Sequence, residues 1–299
     1  MKYIILDLEW DSAYHKKHKR FINQILQIGA VKLDSNFDIL DSFEVNIKSS
    51  FSKKVSNRFA TLTGITTEIM QDGISFEEAV NRYNDWVGTD TVTMTWSNSD
   101  LFTILENEEF LLGGKRSLKI EKYLDLQKFI QGEMRLQGND LKNQISLSNA
   151  AEILGISIEN FDLHTAKDDS LLATAMLKKC YNKKRFEELI QDTQDGVFYR
   201  RLTFKPYSIT DINDKCIDKK VLKFACENCK TTAYRLTEWK YRNRWFSAKF
   251  VCKKCKKEFT GRVMVRKTFD SVIIRKKILK PELETEKKTN AVQSMPEKL

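Results

Sequence analysis

The sequence predicts an α/β protein, in which helices flank a mixed β-sheet and a small β-rich unit built around cysteines follows. Three observations predict it. Residues 1–184 begin with strand-like segments and then alternate helix-like with strand-like ones, and residues 220–267 place two Cys-x-x-Cys pairs in β-like sequence. Apolar residues are 41% of the chain and charged residues 31%, an ordinary globular balance. The 299 residues have room for roughly two domains of about 150 residues.

Local patterns justify each element of the first unit. Asp34-Ser35-Asn36 is a turn between two β-rich runs, and Ser75 followed by Glu78 is typical of a capped helix start. Gly113-Gly114 and Gly155 each end a helix-like segment. The sequence therefore predicts strands over residues 3–9, 25–33, 37–47 and 91–95, and helices over 76–87, 100–112, 147–154 and 165–181.

The rest of the chain divides into three further segments. Residues 185–219 mix helix-like and strand-like pieces, and we interpret them as a connector packed on one or both domains. Residues 220–267 form the cysteine-containing unit. Residues 268–299 carry one apolar patch and then a Lys- and Glu-rich end that we expect to be disordered.

Charge is distributed unevenly along the chain. Residues 1–185 carry 24 Lys and Arg against 26 Asp and Glu, whereas residues 186–299 carry 27 against 15. A basic second half is typical of a polyanion-binding appendage, although excess lysine can also serve solubility alone. Apolar runs such as Ile4-Ile5-Leu6 are far shorter than the ~20 residues of a membrane span. With no secretory signal pattern at the N-terminus, we expect a cytoplasmic protein.

Two carboxylates lie close together in the first predicted strand. Asp7 and Glu9 are two residues apart, so both side chains lie on one face of the strand and Leu8 on the other. Like charges at the end of a core strand repel each other, and burial disfavours both. A divalent cation would remove that cost. The alternative is an exposed edge strand with solvated acids, which the preceding Ile-Ile-Leu disfavours.

Two further acids and one histidine are candidates of the same kind. Asp100 begins a predicted helix, where an acid also stabilises the helix dipole. Asp169 continues the apolar stripe of the 165–181 helix at its N-terminal end, so it is predicted to face the core; its neighbour Asp168 fits the stripe slightly less well. His164 precedes this helix, a position where a histidine is often merely structural.

Taken in order, these residues resemble a known family. Asp7-x-Glu9, then Asp100, then His164 five residues before Asp169 match the three motifs of the DEDDh branch of the DnaQ-like 3′–5′ exonucleases, over residues 1–184. Leu62-Thr63-Gly64-Ile65-Thr66 looks like the family's loop beside the nucleotide pocket, in the form carried by members that degrade RNA 3′ ends. Gln27-Ile28-Gly29-Ala30-Val31 looks like its second strand.

The resemblance implies an RNase H-like fold and hydrolysis with two Mg²⁺ or Mn²⁺ ions. Asp7 would bridge the ions, Glu9 and Asp169 would help hold the first, Asp100 would support the second, and His164 would be the general base. Leu62, Thr63 and Trp10 would contact the substrate, a single-stranded 3′ end with RNA favoured over DNA. The products would be nucleoside 5′-monophosphates. A non-catalytic nucleic-acid-binding protein that keeps the nuclease fold is the alternative.

Four cysteines are spaced as metal ligands. The pairs Cys226/Cys229 and Cys252/Cys255 are separated by 22 residues of β-like sequence, which predicts a zinc ribbon with one structural Zn²⁺. Strands over residues 234–239 and 245–251 would be joined near residues 241–244. Four unrelated buried cysteines and an iron–sulfur cluster are the alternatives.

The predicted ribbon is also rich in cations and aromatic rings. Residues 220–267 hold 15 Lys and Arg against 3 acids, with eight aromatic residues interleaved. Cations for phosphates and rings for bases are what single-stranded nucleic acid requires. Some of the rings are expected to form the ribbon core, and the unit could instead dock a protein partner. The predicted binding tip is Tyr241, Arg242, Arg244 and Trp245.

Overall fold

The structure, a computed structural model, describes residues 1–279 apart from residues 17, 160, 162 and 163. The described residues form two compact units, the first over residues 1–202 and the second beginning at residue 203. The predicted connector is therefore divided between them at residue 202. Among the described residues, no helix has both the length and the apolar character needed to cross a bilayer.

The first unit is built on a six-stranded mixed sheet. The strand order is β3-β2-β1-β4-β5-β6. β1, β2 and β3 pair antiparallel, β4 and β5 continue in parallel from β1, and β6 is antiparallel to β5. The strands are β1 (Lys2–His15), β2 (Arg20–Leu33), β3 (Ile39–Asn46), β4 (Thr91–Thr95), β5 (Lys122–Asp125) and β6 (Gln191–Asp192).

Helices cover both faces of this sheet. One face packs on α5, α6, α7 and α8, and the other mainly on α3 and α4. The described residues of this unit form nine helices, of which the last extends one residue beyond the unit. They are α1 (Asn57–Thr63), α2 (Thr67–Asp72), α3 (Phe76–Val87), α4 (Ser99–Leu111), α5 (Leu126–Leu136), α6 (Leu147–Ile153), α7 (Ala166–Cys180), α8 (Lys183–Leu189) and α9 (Val197–Thr203).

β1 lies inside this sheet and is buried on both faces over its first half. Ile4, Leu6 and Leu8 pack towards α3 and α4, while Tyr3 and Ile5 pack towards the α5–α7 side. Since side chains alternate along a strand, Asp7 and Glu9 share the face of Ile5. The two acids therefore lie on a central strand and not on an exposed edge strand.

The α/β fold class is as predicted, but several elements differ. β1 and β2 run to residues 15 and 20, well past the predicted ends, because their polar outer halves pair as a hairpin. The short helices α1 and α2 were not predicted; they begin at the caps Ser56 and Thr66. Leu62 and Thr63, expected in a loop, form the last turn of α1, which ends at Gly64 in a left-handed conformation (φ 73°).

The second unit is a β-sheet with the order β12-β11-β10-β8, to which β7 and β9 add at β11 and β10. Its elements are β7 (Tyr207–Ser208), a 3₁₀ helix (Lys219–Leu222), β8 (Ala233–Arg235), β9 (Lys240–Arg242), β10 (Trp245–Cys252), β11 (Glu258–Lys267) and β12 (Val272–Leu279). The strand predicted over residues 234–239 is wrong over most of its length: only residues 234 and 235 lie in a strand, β8, and β9 begins at residue 240.

The C-terminal segment also differs from the prediction. Residues 272–279, part of the predicted tail, form β12, which pairs with residues 260–267 of β11. The reason is that Val272, Ile274 and Ile278 alternate towards the core of the second unit. The rest of the predicted tail, residues 280–299, lies outside the described residues.

Candidate active site and cysteine cluster

Three carboxylates meet near the carboxyl-terminal side of the buried half of β1. Asp7 and Glu9 come from β1, and Asp169 comes from the first turn of α7. Each offers an oxygen, and these oxygens lie within 4.8 Å of one another. The structure therefore brings together residues separated by 160 positions in the chain, and it selects Asp169 over its neighbour Asp168.

Gly29 makes this meeting possible. It pairs with Asp7 across the β1–β2 ladder. A Cβ at position 29 would lie 2.4 Å from the carbonyl carbon of Ala166 and 2.5 Å from the backbone nitrogen of Lys167, far inside contact distance. Only glycine lets the first turn of α7 rest directly on β2, and that close approach carries Asp169 to Asp7.

Gln27 holds the same helix end by a hydrogen bond. Its Oε1 accepts the backbone N–H of Ala166 at 3.1 Å, one of the N-terminal donors that a helix leaves unpaired. Its Nε2 donates to Glu44 and Asn46 on β3. Gln27 also pairs with Glu9 across the ladder, so it ties α7 to the part of the sheet that carries the acids.

Asp100 borders the cluster from α4. Its side chain is 3% exposed, and its carboxylate accepts hydrogen bonds from its own backbone N–H and from that of Leu8. Among the neighbouring charges, that of Asp100 has the largest effect in raising the pKa of Asp7. Asp100 thus lies beside Asp7 without belonging to the tight group of three.

The cluster is electrostatically unfavourable by itself. Burial raises the pKa of Glu9 to about 8 and that of Asp100 to about 7. Burial and the charges of Asp100, Asp169 and Glu9 raise the pKa of Asp7 well above its usual value. These carboxyls resist ionisation because each charge would face the others with little water to separate them.

A divalent cation fits this observation. Oxygen donors within 4.8 Å of one another can share an ion, and carboxylates are the ligands that Mg²⁺ and Mn²⁺ prefer. An ion would also offset the mutual repulsion that raises these pKa values. Asp7, Glu9 and Asp169 are the residues placed to hold it.

His164 lies at the open rim of the cluster. Its side chain is exposed, and its backbone has a φ of 74°, in the left-handed region. The backbone N–H of His164 donates to the Asp169 carboxylate, and both this bond and the histidine charge lower the pKa of Asp169 against the effect of burial. The imidazole is therefore next to the acids yet open to water.

Two of the three predicted substrate contacts, Leu62 and Thr63, lie on α1, and the third, Trp10, lies on β1. Leu62 is 50% exposed on α1. The Thr63 side chain is buried, with its hydroxyl donating to the Phe59 carbonyl and accepting from the Ile65 N–H, so it holds the turn and leaves no group for a ligand. Trp10 is half-buried against the core on the α3–α4 side.

A β-bulge and an aspartate place α1 beside the acids. The register shifts between Glu9 and Trp10, leaving Leu26 as an extra residue on β2. Leu26 packs on the small core of α1 and α2 that includes Phe59 and Met70. Asp11 accepts hydrogen bonds from the backbone and hydroxyl of Ser56, the cap of α1.

Sequence reasoning missed three residues that build this site. The roles of Gly29 and Gln27 depend on contact with residues almost 140 positions away, which no local pattern shows. Asp125 ends β5, caps α5 through the Lys128 N–H, and raises the pKa of Asp100. An acid at the carboxyl end of a short parallel strand was the available signal.

The four predicted cysteine ligands form the second cluster. The sulfurs of Cys226, Cys229, Cys252 and Cys255 lie within 4.8 Å of one another, and Cys226 Sγ is 3.7 Å from Cys255 Sγ. Four sulfurs about 2.3 Å from one tetrahedral zinc would be ~3.8 Å apart. The donor set and spacing therefore fit a single tetrahedral ion.

Both cysteine loops have the same backbone form. In each, the residue after the second cysteine is left-handed, with φ 55° at Lys230 and 56° at Lys256, and its N–H donates to the first cysteine's carbonyl. The N–H of Cys255 and the hydroxyl of Thr231 lower the pKa of Cys252 to about 6, which favours the thiolate that zinc requires.

The predicted binding tip is only partly one surface. Asn243 and Arg244 are both left-handed and form a two-residue turn between β9 and β10. Arg242 pairs with Trp245 on one face of this hairpin. The ring of Tyr241 points to the other face, where it lies 5.0 Å from the ring of Phe246. Tyr241 is therefore separated from Arg242 and Trp245.

The mixed sheet and its gathered carboxylates define a nuclease domain, and comparison with known proteins agrees. A family model described as Exonuclease (RNase_T) matches residues 4–177, more than half of the chain. The chain belongs to this exonuclease family, and the resemblance to the DnaQ-like enzymes is confirmed. The comparison with curated proteins found no match.

Solved structures share the fold of the first unit. Cell-death related nuclease 4 (CRN-4) is 19% identical, with a TM-score of 0.52, and the match covers 60% of this chain and 62% of that one. The nuclease domain of 3′hExo, a DEDDh family member solved with rAMP, is also 19% identical, with a TM-score of 0.51; the match covers 60% of this chain and 90% of that one. This chain thus spans less than two thirds of CRN-4.

Proposed function

We propose that this protein is a divalent-cation-dependent 3′–5′ exonuclease. It removes nucleoside 5′-monophosphates from the 3′ end of single-stranded nucleic acid, and its natural substrate is RNA. The observation that carries the proposal is the group of three carboxylates within 4.8 Å, bordered by buried Asp100 and exposed His164. The RNA preference rests on the resemblance of residues 62–66 to RNA-degrading members of the family.

Each residue has a role that its position supports. Asp7, Glu9 and Asp169 hold the first Mg²⁺ or Mn²⁺, while Asp7 and Asp100 hold the second. Two such cations neutralise the charge that develops on the attacking and leaving oxygens of a phosphodiester. His164, open to solvent beside Asp169, takes the proton of the attacking water. Leu62 on α1 packs against the terminal nucleoside.

The proposed product class has support from a relative with the same fold. The 3′hExo nuclease domain is bound to rAMP in its structure, and we carry a nucleotide product to this chain as part of the proposal. In the second unit, we propose that Cys226, Cys229, Cys252 and Cys255 hold one structural Zn²⁺, and that Arg242, Arg244 and Trp245 contact the strand.

The test is degradation of oligonucleotides labelled at the 5′ end, with Mg²⁺ or Mn²⁺ and products resolved by size. We expect a ladder shortening from the 3′ end, release of 5′-monophosphates, and faster loss of RNA than of matched DNA. Asp7→Ala and Asp169→Asn should abolish turnover, whereas Asp168→Asn, the matched neighbour, should retain it.

Two outcomes would contradict the proposal. Immediate release of the 5′-terminal nucleotide would show that the enzyme degrades strands in the 5′–3′ direction. Tight binding without turnover in several divalent metals would favour the alternative of a non-catalytic binding protein that keeps the nuclease fold.

A further inference from the structure

We propose that the second unit contains a phosphate-binding pocket, formed by Arg244, Arg266 and Arg275, that holds the backbone of single-stranded nucleic acid. The choice of nucleic acid as ligand rests on the proposed function. The pocket itself lies in the second unit and needs no catalysis. It extends the predicted tip around Arg244 to two strands that the sequence interpretation did not include.

The sheet of the second unit has one core face and one open face. Phe246, Phe250, Val263 and Val265 are buried in the core. Side chains alternate along each strand, so the residues between them, such as Arg262 and Arg266, point to the open face. Strand pairing extends the same face across β12, because Arg275 is opposite Met264 and Ile273 is opposite Arg266.

Cations dominate the open face. Lys240 and Arg242 on β9 pair with Ser247 and Trp245 of this face, which places them on it as well. One acid shares the face among the described residues of β9 to β12, Glu258 at the start of β11. The cations of the face are Lys240, Arg242, Lys249, Arg262, Arg266, Arg275 and Lys277.

Three arginines of this region converge on a depression of about 380 Å³. Arg266 and Arg275 enter it from β11 and β12, Arg244 enters from the β9–β10 turn, and Ser208 adds a hydroxyl from β7, opposite Arg266. All three arginines are exposed, and none forms an ion pair with an acid in the described part of the chain. Their positive charge is therefore uncompensated.

The chemistry of the pocket favours a phosphodiester. Each guanidinium presents paired N–H donors that match two phosphate oxygens. Met264 and Ile273 form an apolar part of the lining, and Ile273 is 41% exposed, so sugar carbons can rest there. A strand of phosphates would also meet the other cations of the face, which are spaced along and across the strands.

An aromatic ring beside the pocket adds to this surface. Trp245 is half-buried, and the guanidinium of Arg262 and the ammonium of Lys277 lie 5.1 and 5.4 Å from its ring centre. These cation–π contacts hold the ring along the open face next to two more cations. A ring flanked by cations suits single-stranded nucleic acid, whose bases stack on aromatic rings and whose phosphates pair with cations.

The test is equilibrium binding of a labelled oligonucleotide by fluorescence anisotropy, with Asp7→Asn in every protein to prevent turnover. Arg266→Ala with Arg275→Ala should raise Kd by about 10- to 100-fold and lower the slope of log Kd against log salt by about 1.4, or ~0.7 for each lost phosphate contact. The matched control, Lys219→Ala with Lys220→Ala, removes the same charge from the 3₁₀ helix and should change Kd by less than threefold.

Arginine geometry is tested separately from charge. Arg266→Lys with Arg275→Lys should bind more weakly than the parent protein while keeping its salt slope, because lysine keeps the charge and loses the paired donors. Unchanged zinc content of each variant shows that the unit is folded. If the Arg266→Ala/Arg275→Ala variant and the Lys219→Ala/Lys220→Ala control had equal Kd values, the proposal of a phosphate-binding pocket would be overturned.

The ligand class has its own control. An acidic peptide of equal charge should compete at least tenfold less well than the unlabelled oligonucleotide, and equal competition would overturn the assignment to nucleic acid. Failure of the nuclease proposal looks different, because wild-type protein would then bind through these arginines and release no nucleotide.

Discussion

The carboxylate cluster and the cysteine cluster both gather side chains of the kind that bind metal, but they are assembled in opposite ways. The carboxylates come from β1, α4 and α7, and they meet only after the whole first unit has packed. The cysteines come from two short loops with the same backbone form, joined by a few strands. One cluster depends on tertiary packing and the other on local loop geometry.

The two clusters also differ in what they contribute without an ion. The carboxylates have raised pKa values, because burial and mutual repulsion oppose their charged forms. In the cysteine cluster the shifts go both ways: nearby donors lower the pKa of the Cys252 thiol, whereas Cys255, burial and Cys252 raise the pKa of the Cys229 thiol to about 12. Without an ion, all of the acids in the carboxylate cluster therefore disfavour their charged forms, whereas the cysteine cluster contains one thiol that favours the thiolate and one that disfavours it.

The largest expected effect is that of Asp7→Asn, which should change activity and stability in opposite directions. Asp7→Asn should lower kcat by about 10³-fold or more, since the residues of such a site act as a unit. The same change removes one of the repelling charges, so without Mg²⁺ or Mn²⁺ it should raise the free energy of unfolding by about 1–3 kcal/mol. Activity assays and urea titrations measure the two effects, and a variant less stable than wild type would contradict the second.

Loss of a ligand from the cysteine cluster should lower the free energy of unfolding, whereas loss of an acid should raise it. Cys226→Ser should remove the bound zinc, measured as metal content per chain, and destabilise the second unit, since structural zinc contributes directly to folding. The control is Cys216→Ser, a cysteine outside the cluster that should keep its zinc. Full zinc content in the Cys226 variant would show that three sulfurs suffice and would weaken the contrast with the acids.

A pH titration would sharpen the contrast further. Glu9 and Asp100 have folded-state pKa values of about 8 and about 7, above their unfolded values. Between pH 5 and 8 the folded state then binds more protons than the unfolded state, so stability falls as pH rises. Hydrogen exchange of β1 and β2 without Mg²⁺ should show this loss, and saturating Mg²⁺ should reduce it. Protection that rises with pH would contradict the raised pKa values.

The same contrast explains what could be predicted from the sequence. α3 and β4 have the predicted bounds because capping and β-branched runs are local signals. The cysteine ligands were visible as spacing, and the acids as a family motif. The contacts of Gly29 and Gln27 with Ala166 were not visible, because they join segments that are remote in the chain. β12 was missed because three cations, residues 275–277, interrupt its apolar residues and a Lys- and Glu-rich segment follows it.

The smallest expected effect tests how tightly the acid cluster depends on packing. In Gly29→Ala the new Cβ would meet the backbone of Ala166 and Lys167 at 2.4 and 2.5 Å, and backbone cannot rotate away as a side chain can. The first turn of α7 must then move off β2, which takes the Asp169 carboxylate away from Asp7.

We expect kcat of Gly29→Ala to fall by about 10- to 100-fold, since displacements near 1 Å cost about that much. We expect its free energy of unfolding to fall by ~1–3 kcal/mol. Zinc content should not change. The matched control is Gly132→Ala in α5, where the Cβ would meet a side-chain nitrogen of Arg185 at 2.9 Å and no backbone atom, and where helix propensity favours alanine. If Gly29→Ala kept full activity, α7 could shift without disturbing the acids, and the carboxylate cluster would be less dependent on packing than its geometry indicates.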